Sequence, residues 1–203
     1  MGQVPEGLPA DTLVTALDGA INFSARITQG AVKKLQGRET NMAGLTTLGV
    51  FHTAIGMIAV VCGFWALARD KEISLKNRLG QVYVVTTFIT AATGLGIFQH
   101  GGFGPPHVLS ILTIIALAVG ILAGLSGVFG GWSRYVQAIS FTTTILFHLI
   151  PAITETTTRL PAGVPIFSSP DDPGLKPIAG VLLVIYAIGL TLQIRWMRAS
   201  APR

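Results

Sequence analysis

Charge is scarce in this chain. Asp, Glu, Lys and Arg make up 11% of its 203 residues, against about 25% in an average soluble domain. Half of the residues are hydrophobic, and the mean hydropathy is +0.63. A water-facing surface needs more charge than this, so a soluble enzyme, a nucleic-acid reader and a disordered tail are excluded. The pI near 9.8 is not a nucleic-acid signal, because the 14 cations are scattered at segment ends, where membrane topology puts them.

Cysteine is nearly missing as well. Cys62 stands alone, which excludes an internal disulfide and any multi-cysteine metal or iron–sulfur centre. It lies inside an apolar run and reads as a small buried hydrophobe. No Walker loop, Gly-x-Ser-x-Gly elbow or His-Glu-x-x-His occurs. No Cys-x-x-Cys-His occurs either, so covalent c-type haem is excluded. Glu6, Asp11 and Asp18 fall where a cleavable signal peptide would be apolar, so none is expected. No motif names a substrate or a reaction.

What is present is long apolar stretches. Leu45–Ala68 runs 24 residues without a charge, enough to cross ~30 Å of hydrocarbon at 1.5 Å per residue. Leu79–Ser133 has no charge for 55 residues, too many for one span. It divides at Gln99-His100-Gly101-Gly102-Phe103-Gly104-Pro105-Pro106, where glycines and a Pro-Pro pair stop one helix and start the next. The second and third spans are then roughly Leu79–Phe98 and His107–Phe129. Tyr135–Thr154 is a fourth charge-free run, and Pro177–Ile194 a fifth. The spans hold no Lys or Arg, which argues against a voltage sensor.

Residues 1–44 are more polar. Asp11 can N-cap a helix with apolar positions Leu13, Leu17, Ile21 and Leu35, interrupted by Asp18, Arg26, Lys33 and Lys34. The segment reads as an amphipathic helix at the membrane interface or against the bundle. The expected fold is therefore an all-α polytopic membrane helix bundle. It has an N-terminal amphipathic segment (1–44), five transmembrane helices (45–198) and a short tail (199–203).

Orientation follows from the cations. With the N-terminus outside, the inner segments hold Arg69, Lys71, Lys76, Arg78, Arg134, Arg195, Arg198 and Arg203, against six cations outside. The positive-inside rule then puts the C-terminus in the cytoplasm of a bacterial inner membrane. Alternating threading also brings Trp65, Tyr83, Trp132, Tyr135 and Trp196 to the basic face as an aromatic belt.

The four histidines all thread toward the opposite face. His52 lies ~10 Å below the surface in the first span, and His148 sits at a similar depth in the antiparallel fourth. Two intramembrane imidazoles at matched depth could ligate one b-type haem or one divalent transition metal. Glu155 falls on the same helical face as His148 two turns on, and could complete a metal site or simply pair with Arg159. His100 and His107 flank the glycine-rich loop as outer-rim candidates. The alternative for the buried pair is hydrogen bonding to a neighbouring helix. Pro151 predicts a kink beside His148. Thr86, Thr90 and Thr93 share one face of the second span, and Gly120 and Gly124 form a small-xxx-small pair.

Lys76-Asn77-Arg78-Leu79-Gly80-Gln81-Val82-Tyr83, following Phe51-His52-Thr53-Ala54-Ile55-Gly56, resembles an uncharacterised family of bacterial predicted multi-pass membrane proteins. The family pattern runs roughly His-Arg-x-Leu-Gly-x-Val-Tyr. It departs at Asn77, where the family places histidine, so any ligand role there is lost. The resemblance spans about residues 45 to 160 and implies location and helix count more than chemistry. A looser likeness to diheme b-type membrane cytochromes rests only on the buried histidines. Three uses remain open: a histidine-lined cofactor site, a transporter of ions or small molecules through the Thr/His/Glu interior, and a structural accessory subunit. The expected partners are the lipid bilayer and either a second copy or a larger membrane complex.

Overall fold

A computed structural model describes residues 46–98 and 102–200. The expected amphipathic helix and His100 lie outside the described residues. From Leu48 onward the chain forms one unit, built from five helices: α1 Thr47–Asp70, α2 Arg78–Gly94, α3 Pro105–Ser126, α4 Ser133–Arg159 and α5 Leu175–Ala199. A short 3₁₀ turn, Gly130–Trp132, precedes α4. No strand occurs among the described residues. Four segments are long and apolar enough to cross a membrane: α1, α3, the 3₁₀ turn with α4, and α5. The second helix, at 17 residues, is the shortest, with a length of ~25 Å.

The helix ends are set by local chemistry. α1 stops where Lys71 turns left-handed, with φ of 61°, and its N–H reaches back to the Leu67 carbonyl at 3.1 Å. Asn77 caps α2 in an extended conformation, its Oδ1 accepting from the Gly80 N–H at 2.8 Å. Gly80 is needed there, because a Cβ would overlap the Ser74 carbonyl oxygen. Asn77 thus has a capping role. α3 opens on Pro105-Pro106 and closes on Gly127, whose φ is 61°.

α4 is the central helix, packing on both α3 and α5. Gly120 and Gly124 of α3 receive the Phe141 ring and the Gln137 amide, so the small-residue pair serves contact within the chain. On the α5 side, Thr142 donates to Gln193 at 3.0 Å and the Thr143 and Tyr186 hydroxyls meet at 2.7 Å. Gly63 of α1 lies against Tyr83 and Ile145. Ala59, Tyr83, Leu117, Phe141 and Ile145 form the apolar centre. Large apolar side chains face outward instead, including Met57, Val61, Ile185 and Leu192. An apolar exterior of this extent suits lipid and would be an aggregation surface in water.

One expectation needs correction. Tyr83 is 0% exposed, among the largest fully buried side chains, so it does not belong to an interfacial belt. Trp65, Trp132 and Trp196 remain exposed. α4 runs through Pro151 and continues for eight further residues to Arg159.

Candidate functional site

The site is built on α2. Threonine hydroxyls in a helix can donate to the carbonyl one turn back, which makes them tolerable in an apolar medium. Thr86, Thr90 and Thr93 all do so, at 2.7 to 2.8 Å. With its hydrogen used in this way, Thr93 offers only lone pairs to a neighbour. His52 Nδ1 lies 3.1 Å from Thr93 Oγ1. We therefore assign the His52 ring proton to Nδ1, which leaves a lone pair on Nε2. The Thr90 carbonyl is also within reach of this ring.

His148 meets the same helix from the other side. Its Nε2 lies 3.2 Å from Thr87 Oγ1, and its ring sits edge-on to Tyr83 with centroids 6.5 Å apart. Tyr83 in turn contacts Thr144 Oγ1 at 2.6 Å and the Phe141 carbonyl at 3.2 Å. Two polar contacts, His148–Thr87 and Tyr83–Thr144, thus lie side by side in the apolar centre, with His52 and Thr93 further along α2.

Both buried histidines predicted from the sequence thus reach the same helix, on different sides of it, each within hydrogen-bonding distance of a threonine. They lie within electrostatic range of each other. Glu155 is within electrostatic range of His52 and forms an ion pair with Arg159 one turn on, the plainer of its two expected roles. Room for the rings comes from small residues. The His52 ring packs where a side chain on Gly94 would otherwise be, beside Ser110.

His107 stands apart at the start of α3, 4% exposed. Phe98 and Phe103 flank its ring at centroid distances of 4.6 and 5.3 Å. Its Nδ1 accepts from the Gly104 N–H at 3.2 Å. In the neutral ring the proton is then on Nε2, which has no partner, and a protonated nitrogen cannot ligate a metal.

Among the described residues no three His, Cys, Asp or Glu side chains gather to hold a metal ion. A cavity of about 430 Å³ lies on the other side of α4, between α1, α4 and α5, and neither His52 nor His148 lines it. Haem or metal binding at the histidine pair gains no support from these features.

Sequence reading missed Tyr83 as an interior group, and it missed Gln137 and Gln193. Both glutamines are buried. An intramembrane amide, unlike a threonine hydroxyl, needs a partner beyond its own turn. Gln193 has two: it accepts from Thr142 and donates to the Lys71 carbonyl at 2.8 Å. Amides inside charge-free runs were the signal available. Searches against profiles of known protein families, curated proteins and solved structures returned no match.

Proposed function

We propose that this chain is a five-span protein of the bacterial inner membrane, and that His52 and His148 form a membrane-embedded proton-handling site used in ion or small-solute transport. The five-span count adds α2 to the four apolar segments. Seventeen residues reach the lower end of the length that crosses hydrocarbon, ~17–25 residues. Its ends support the crossing. The loop before α2 joins the start of α4 through Glu72 and Arg134, at 2.9 Å. The far end of α2 lies beside His52 and Ser110 instead. The Glu72 end carries Arg69, Lys71, Lys76, Arg78, Arg134, Arg195 and Arg198 against Asp70 and Glu72, which supports placing it in the cytoplasm. The resemblance at Lys76–Tyr83 points to the same setting.

The observation that carries the site is the shared anchorage of both imidazoles on α2, through Thr93 and Thr87. An intramembrane ionisable group is expensive to keep and is by default functional. Imidazoles suit proton transfer, because a ring can take up a proton at one nitrogen and release one from the other. The open lone pair assigned to His52 Nε2 favours, as a second reading, a histidine-ligated cofactor.

Reconstituted vesicles with an entrapped pH dye separate these uses. Proton uptake lost in both His52→Ala and His148→Ala, and kept in His107→Ala, supports the transport reading. A Soret band or stoichiometric metal in the purified protein, lost in the same two variants, replaces it with the cofactor reading. Neither signal in folded protein leaves an accessory role in which the histidines serve packing.

A further inference from the structure

The cavity between α1, α4 and α5 has a volume of about 430 Å³, within the usual ~300–1,000 Å³ of small-molecule sites. Its walls are apolar: Phe64 and Leu67 from α1, Leu146 and Leu149 from α4, Leu182 and Ile185 from α5. Phe64 and Ile185 are themselves exposed, so the cavity is a groove open to the side of the bundle. A bilayer fills such a groove with hydrocarbon.

One end of the groove is polar. Lys71, Gln193 and Trp196 line it there. The Gln193 amide is satisfied by Thr142 and by the Lys71 carbonyl. Trp196 lies under the Arg134 guanidinium at 5.6 Å, an interfacial arrangement for an indole. Lys71 differs from both. Its ammonium contacts the Ala68 carbonyl at 2.7 Å and, among the described residues, forms no ion pair. The acids on either side of it are already taken: Asp70 pairs with Arg69 and Glu72 with Arg134. The groove mouth therefore carries uncompensated positive charge.

Lys71 also occupies a left-handed conformation, φ 61°, at a helix end where glycine is the unstrained choice. A backbone held this way at some cost in a lysine points to a use for its side chain. We propose that the groove holds an acyl chain of an anionic phospholipid from the adjoining leaflet, with the lipid phosphate at the Lys71 ammonium. Apolar wall and unpaired cation match the two parts of such a lipid; a zwitterionic lipid brings the same phosphate together with its own cation, which the positive groove mouth disfavours.

Native mass spectrometry of the full chain, released from detergent carrying phosphatidylglycerol or phosphatidylcholine of identical chains, tests this. The expected result is one retained phosphatidylglycerol, held at least tenfold better than phosphatidylcholine. Lys71→Gly relieves the backbone strain while removing the charge, so it folds and loses that preference. Gly189→Phe fills the groove from α5, where nothing lies within 4 Å of the added carbon, and it releases both lipids. Equal retention of the two lipids, a preference that survives Lys71→Gly, or a second copy of the chain covering the groove overturns the proposal.

Discussion

The Tyr83 hydroxyl lies 2.6 Å from Thr144 Oγ1, joining α2 to α4 through two fully buried side chains. Thr144 already donates to the Phe141 carbonyl at 2.7 Å, so Tyr83 is the donor of this pair. The tyrosine is three residues past Gly80, which lets α2 start flush against the Ser74 backbone. The short pattern Asn77-Arg78-Leu79-Gly80-Gln81-Val82-Tyr83 thus acts as one device. Asn77 caps the helix, Gly80 sets its approach, and Tyr83 locks it to α4.

Tyr83→Phe should therefore lower stability in detergent by about 1–2 kcal/mol, the scale of one buried hydrogen bond, because Thr144 keeps its bond to Phe141. Tyr83→Ala should cost about 3–5 kcal/mol through the cavity it leaves. Unfolding of the purified protein followed by circular dichroism measures both. Equal losses for the two variants would place the contribution in the hydroxyl alone.

Two glycines near helix ends should behave differently. Gly127 closes α3 with φ of 61°, so Gly127→Ala should cost about 1 kcal/mol. Gly102, in the loop before α3, has neither a left-handed φ nor any atom within 4 Å of an added carbon. Gly102→Ala should leave the melting temperature unchanged. Matched thermal melts of the two variants check the contrast.

The helices were legible because charge marks their ends. Asp70, Arg78, Arg159 and Arg195 bound or closely follow the apolar runs, and α1, α4 and α5 each extend past those runs to include charged residues. Hydropathy finds hydrocarbon, whereas helical hydrogen bonding continues into the interface. Residue counting put His52 and His148 at similar depths; that both would reach α2 it did not show, nor which atoms they bond. Rotation of a helix about its axis is set by packing, here by Gly56 against Thr90 and Gly63 against Tyr83, and residue counting carries no such angle. Tyr83 misled for a related reason: an amphipathic ring near a span end suits an interface and an interior hydroxyl pair equally.

The loop before α5 carries a pH-sensitive contact. Asp172 accepts from the Gly174 N–H at 2.9 Å and from the Ser168 hydroxyl at 3.2 Å. The Gly174 bond above all, with help from Ser168, holds its carboxyl below the usual carboxylate range. A depressed pKa gives stability that is present above the unfolded value, ~3.9, and lost as pH falls through the folded value. Ordering of residues 168–174 should persist at neutral pH and decline below that range. Asp172→Asn should flatten the decline, as read by hydrogen exchange at the Gly174 amide. An identical acid profile in the variant would assign the titration to another group.

The threonine anchors give the most direct handle on the histidine pair. Thr87→Val keeps the shape of the side chain and removes the hydroxyl facing His148 Nε2. The buried ring nitrogen then loses its partner, at a cost of about 1–3 kcal/mol. Thr93→Val should act in the same way on His52 Nδ1. If the two histidines work as one unit, either variant should depress vesicle proton uptake as much as His52→Ala or His148→Ala does, and the double variant no further. Additive losses would mean that the imidazoles act separately. Full uptake in a folded Thr87→Val protein would remove His148 from the pathway and leave His52, with its Nε2 lone pair, as the group to follow.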